Sequence, residues 1–101
     1  MTRLVVTADA EADTTAILEC LEGVAGVAVA HDYGRRIRTT IERLLKLPRS
    51  GSPRPALARD TRIAIVAPYI LIYDYVLASD TFTLLRILHE RRNITRELVR
   101  G

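Results

Sequence analysis

The chain has 101 residues, 49% of them hydrophobic and 27% charged, with a net charge of +3; this fits one packed core and excludes a disordered or fibrous chain. No apolar run approaches the ~18–20 residues a bilayer span needs. Met1-Thr2-Arg3 leads straight into Leu4-Val5-Val6 with no signal-type apolar region, so a cytoplasmic protein with no membrane contact is expected.

The charge is unevenly placed. Residues 1–23 hold five acids and one base (net −4), whereas residues 24–101 hold fourteen bases and seven acids (net +7). Fourteen of the fifteen cations are arginine, which favours bidentate contacts to carboxylate or phosphate. An acidic protein patch, a nucleic acid and a plain solvated face all fit that pattern.

Arg3 to Thr7 is short and β-branched, which predicts a strand. Thr7 or Asp9 then caps a helix over about 9–22, with Asp9, Glu11 and Asp13 beside its positive dipole end. Ala10, Thr14, Ile17, Leu18 and Leu21 form its apolar stripe, Gly23 is the expected stop, and Cys20 reads as a semi-buried packing residue. A second, longer helix follows to near Pro48, with Val27, Ala30, Tyr33, Ile37, Ile41, Leu44 and Leu45 on one stripe and arginines outside it. The short link makes the two an antiparallel hairpin. His31, in the first half of the second helix, reads as a surface residue.

Pro48 to Pro55 (PRSGSPRP) cannot continue a helix and reads as an exposed loop. Three strands are predicted after it: Arg62–Val66, Tyr69–Leu77 and Thr81–His89. Their spacers are short enough that only antiparallel hairpins join them. The middle strand is apolar on both faces and should lie centrally, with the helical hairpin on one face of the sheet and the other face partly open. Asn93 to Arg100 has only weak helical periodicity. The fold class is therefore α+β in the order β-α-α-β-β-β: one domain, 1–101, with a helical hairpin on a small twisted, mainly antiparallel sheet.

Nothing matches a phosphate-binding glycine loop, a zinc spacing or a nucleophile elbow, so neither a cofactor nor a metal is expected. The last strand runs into His89-Glu90-Arg91-Arg92, and strand ends followed by turns are where binding groups gather. Alternation puts His89 and Arg91 with Leu85 and Ile87, and Arg86 on the other face with Leu84 and Leu88. Pairing Leu77 with Phe82 would set Tyr73 opposite Arg86, Tyr75 opposite Leu84 and Tyr69 opposite Glu90. Such tyrosines either stack against a partner around Arg86 or are ordinary packing residues.

The element order, the stretch RIAIVAPYILIYDY, the basic segment RRIRTTIERLLKLPRSG and the terminal LLRILHERRNI together resemble the ParE branch of the RelE/ParE toxin superfamily, over nearly the whole chain. The resemblance implies a toxin of a bacterial type II toxin–antitoxin pair that blocks DNA gyrase by binding and without catalysis of its own. An alternative is a RelE-like ribosome-dependent mRNA nuclease, in which His89 and Arg91 would be the catalytic pair. A second alternative is a non-toxic relic that keeps only an antitoxin-binding surface. NITRELVRG lacks the terminal tyrosine of many such nucleases, and Lys46 is the only lysine, which favours the gyrase reading. On that reading Tyr73, Arg86, His89, Arg91 and Arg92 contact the target. Ile37, Ile41, Arg62 and Tyr69 meet the antitoxin, an acidic or amphipathic segment bound in a heterodimer or larger complex.

Overall fold

The structure, a computed structural model, describes residues 1–100. Strand β1 (Arg3–Val6) leads into helices α1 (Ala8–Ala25) and α2 (Val27–Lys46). After them come β2 (Ser52–Pro53), β3 (Thr61–Val66), β4 (Tyr69–Val76), β5 (Thr81–His89) and the short helix α3 (Arg96–Arg100). The sheet order is β1-β5-β4-β3-β2, with β1 parallel to β5 and every other pair antiparallel. This is the α+β arrangement read from the sequence, with one added strand. Ser52 and Pro53 sit in the loop and pair with Ile63 and Arg62. A proline in so short a segment gives no strand signal, and an edge position is where a missing N–H is tolerated.

Thr7 caps α1, its hydroxyl accepting from the Ala10 N–H at 3.1 Å. Gly23 does not end the helix. Gly26 does, at φ +95°, a conformation open to glycine and strained for a residue with a Cβ. The extra turn carries α1 three residues past the predicted end. Cys20 is exposed rather than semi-buried, because the inward stripe is set by Ala10, Ile17 and Leu18 and leaves it outside. Helix α2 buries Ala30, Ile37, Thr40 and Leu44, a stripe at helical spacing.

Two apolar clusters sandwich the sheet. On the helical side Leu71, Tyr73, Phe82, Leu84 and Ile87 meet Ala10, Ile37 and Leu44. The other face, expected partly open, is covered over much of its area: Val99, Leu98 and Ile94 from the C-terminal segment, with Leu57, pack on Ile63, Ile72 and Leu88. Ile65, 62% exposed, is what remains open there. The closure is pinned by Arg100, whose Nη2 donates to both carboxylate oxygens of Asp74 at 2.7 and 2.9 Å and to Thr61 Oγ1 at 2.7 Å.

The β4–β5 register departs from the predicted one. Residues Leu77–Ser79 form a 3₁₀ turn and Asp80 takes a left-handed conformation, so pairing opens with Val76 opposite Thr81, and Leu77 does not pair with Phe82. A bulge then falls between Ile72 and Tyr73, where β5 fits in Leu85 as an extra residue. Tyr75 therefore faces Phe82, Tyr73 faces Leu84, Ile72 faces Arg86 and Tyr69 faces His89. The bulge also breaks the assumed alternation. Leu84 and Ile87 belong to the helical side, while Leu85 and Leu88 belong to the opposite cluster.

Candidate functional site

Beyond Leu84, β5 extends past the end of β1 and would have one edge bare. The start of α1 covers it. Thr7 donates its N–H to the Leu84 carbonyl at 3.1 Å and its hydroxyl to the Leu85 carbonyl at 2.9 Å. Asp13, one turn into α1, then accepts the Ile87 N–H at 3.0 Å, supplying the acceptor that a longer β1 would have given.

The same carboxylate holds Arg86. Arg86 Nε and Nη2 donate to Asp13 Oδ2 and Oδ1 at 2.7 and 3.0 Å, and Nη1 donates to the Leu98 carbonyl at 2.7 Å. Both side chains are largely buried. The hydrogen bond to Asp13 raises the Arg86 pKa above its ordinary value, against the opposing effect of burial. Arg86 thus ties α1, β5 and α3 together and is not a free contact group. Asp13 lies 73 residues away along the chain, and no local pattern links the two.

Tyr73 has no exposed surface either. Its ring stacks on Phe82 at 4.4 Å, and its hydroxyl accepts from the Gly51 N–H at 3.0 Å while donating to the Pro48 carbonyl at 2.8 Å. Burial pushes its phenol above the ordinary value. Arg62, paired opposite Tyr73, holds the same segment, its Nη1 donating to the carbonyls of Arg49 and Gly51, both at 2.8 Å. These two residues, expected at the target and antitoxin contacts, organise the loop after α2.

His89, Arg91 and Arg92 do share a site. Arg91 donates its N–H to His89 Nδ1 at 3.0 Å and Arg92 donates to the His89 carbonyl at 2.9 Å, closing a turn that leaves both arginine side chains exposed. The His89 ring meets Tyr69 edge-on at 5.8 Å, Tyr69 meets Tyr33 in the same way at 5.8 Å, and Arg36 lies over Tyr33 at 4.8 Å. Burial pushes the Tyr69 phenol up, and nearby Tyr33 and Cys20 add to the shift. A row of aromatic and cationic groups therefore runs from α2 across β4 to the end of β5. In the sequence Tyr33 and Arg36 stand out only through the periodicity of α2; their part in the row depends on the long-range pairing of β4 with β5.

Ile37 and Ile41 line a groove of about 590 Å³ between the hairpin and the β1 edge, with Leu4, Val6, Leu18 and Leu45. Leu4 and Val6 are exposed, at 42% and 38%, whereas Ile37 is buried at its floor. Arg38, Glu11 and Glu42 also line it. Arg62 and Tyr69 are not among its lining residues. Among the described residues there is no cluster of side chains able to hold a metal ion, and no helix is long and apolar enough to cross a membrane.

A family model described as the ParE toxin of the type II toxin–antitoxin system, parDE, matches residues 4–94. Among solved structures the chain is similar to one described as a chromosomal ParDE TA system from P. aeruginosa, with a TM-score of 0.73. The sequences are 22% identical, and the match covers 88% of this chain and 96% of that one. At this identity the likeness carries the fold. No curated protein matches the sequence.

Proposed function

Because the chain belongs to the ParE toxin family of type II toxin–antitoxin systems, we propose that it arrests bacterial growth by binding DNA gyrase in the cytoplasm, without chemistry of its own, and that a cognate antitoxin neutralises it. The observation that carries this reading is the terminal turn, which presents the Arg91 and Arg92 side chains exposed beside the His89–Tyr69 edge. Cleavage at a ribose 2′-hydroxyl requires a base, an acid and cations converging on one phosphate. Arg86 adds no free cation there, since three of its five N–H donors are spent on Asp13 and the Leu98 carbonyl. What the terminal turn offers is Arg91 and Arg92 beside the His89–Tyr69 edge, a set suited to an acidic protein surface.

The groove along β1 suits an antitoxin. Its floor is apolar, and the backbone of β1 has one partner strand, β5, so its other edge is free to meet an incoming chain. An amphipathic segment with acids on its polar side would bury apolar side chains against Ile37 and Ile41 and meet Arg38 at the groove wall. Neutralisation then works by covering the surface, with toxin and antitoxin in a heterodimer or larger complex.

Expression of the chain alone should stop growth, and co-expression of the antitoxin should restore it. His89→Ala combined with Arg91→Ala should abolish toxicity while thermal unfolding and antitoxin binding stay as in the parent. A fully toxic double variant would rule the terminal turn out as the contact surface.

A further inference from the structure

The loop after α2 is built far more firmly than an ordinary connection. Tyr73, buried and fixed by Phe82, holds the Gly51 N–H and the Pro48 carbonyl with one hydroxyl, and Arg62 holds the Arg49 and Gly51 carbonyls with one nitrogen. Gly51 leaves no room for a side chain: a Cβ there would lie 2.8 Å from the Ile63 carbonyl oxygen and overlap the Tyr73 hydroxyl. Exposed Ser50 and Ser52 are thereby presented on a fixed backbone.

Around this loop is a cleft of about 230 Å³ whose lining includes Arg43, Ser50, Ser52 and Arg54 and no acid. Residues 43–62 contain six bases and one acid, Asp60. Among the described residues Arg43, Lys46, Arg49 and Arg54 make no ion pair, whereas Arg35 and Arg36 are matched by Asp32, Arg86 by Asp13 and Arg100 by Asp74. Arg54 spends Nη1 on the Pro53 carbonyl at 2.9 Å, which orients the guanidinium and leaves its other donors unused. Lys46 and Arg49 stand beside the cleft near Tyr75. Lys46 and Arg43 complement the negative end of α2, but Arg54 has no such role.

We propose that this cleft is a phosphate-binding site through which the protein holds the backbone of double-stranded DNA, separately from the terminal turn. Two guanidiniums and the Ser52 hydroxyl give donors from several directions, which suits the tetrahedral oxygens of a phosphodiester better than a flat carboxylate, while the Ser50 hydroxyl is spent on the Leu47 carbonyl at 2.7 Å. Lys46 and Arg49, outside the cleft, extend the cationic surface as a run of neighbouring phosphates requires. Such a site stands whether or not gyrase is the target, and a binding assay without gyrase tests it.

Binding of the full chain to a short fluorescent duplex, followed by anisotropy across a salt series, reads the number of phosphates engaged. Four cations in contact predict log K against log salt falling with a slope of roughly −3 to −4. Arg43→Ala with Arg54→Ala should weaken binding and make the slope shallower by about 2. Arg43→Lys with Arg54→Lys should keep the parental slope and bind less tightly, since the fork geometry is lost but the charge is not. Arg91→Ala with Arg92→Ala should leave the slope unchanged. No duplex binding, an alanine double variant equal to the parent, or a lysine double variant as tight as the parent would each overturn the site. So would displacement of the duplex by a polyglutamate peptide but not by inorganic phosphate at equal charge concentration, which would mark the cleft as a site for acidic protein.

Discussion

Asp13→Ala removes the carboxylate that pairs bidentately with Arg86 and accepts the Ile87 N–H. Breaking one partner of a fully buried pair costs about 3–5 kcal/mol, because the remaining charge is stranded. Here the two side chains keep 17% and 15% of their exposure, so water recovers part of that loss. A cost of about 2–4 kcal/mol is therefore expected. For a domain of this size each kcal/mol moves Tm by roughly 4–8 °C, which places the variant roughly 8–32 °C below the parent in a thermal melt followed by circular dichroism. Asp13→Leu with Arg86→Met should recover much of the loss, since no charge is then left buried without a partner, although the Ile87 N–H stays unpaired. A melting point for Asp13→Ala within about 2 °C of the parent would refute the assignment of Arg86 to the framework.

Gly51→Ala should lower the urea midpoint by the equivalent of about 2–3 kcal/mol with the slope unchanged, since the new methyl displaces the Tyr73 hydroxyl and unpairs the Gly51 N–H; an unaltered midpoint would mean the loop is not locked. Asp80 is held below the usual carboxylate range by the Tyr75 hydroxyl at 2.7 Å and then by the Thr2 hydroxyl at 2.9 Å. A depressed carboxyl pKa stabilises the fold above its unfolded value and loses that stabilisation as pH falls through the folded value, so the protection of the Arg3 amide, which donates to the Asp80 carbonyl, relative to its unprotected exchange rate should fall below about pH 4, and this pH dependence should be lost in Asp80→Asn. Ile41→Glu, placed on the half-buried wall of the groove, should abolish co-purification with the antitoxin while the melt stays within a few degrees of the parent.

The elements were legible wherever local chemistry sets them. The apolar stripe of α2 at helical spacing, the β-branched runs of β3 to β5 and the Thr7 cap are each written in neighbouring residues, and they suffice for the element order and fold class. The register was not legible. It depends on a 3₁₀ turn at Leu77–Ser79, whose end Asp80 is held by Thr2 and Tyr75, and on Leu85 being left over at a bulge, where Thr7 at the start of α1 takes its carbonyl. From that shift came the misplaced aromatic row: Tyr73 turned inward to hold a loop, and Tyr69 moved opposite His89. Arg86 looked like a free cation because its partner sits in the acidic first helix. The terminal turn was visible as a charge run at a strand end, since its geometry is made within four residues, His89 to Arg92.

The mode of action is tested most directly by adding the purified chain, in parallel, to a gyrase supercoiling reaction and to translating ribosomes programmed with a labelled mRNA. Loss of supercoiling with the mRNA intact, reversed by the antitoxin, is the predicted result. Ribosome-dependent cuts in the mRNA with gyrase unaffected would contradict it.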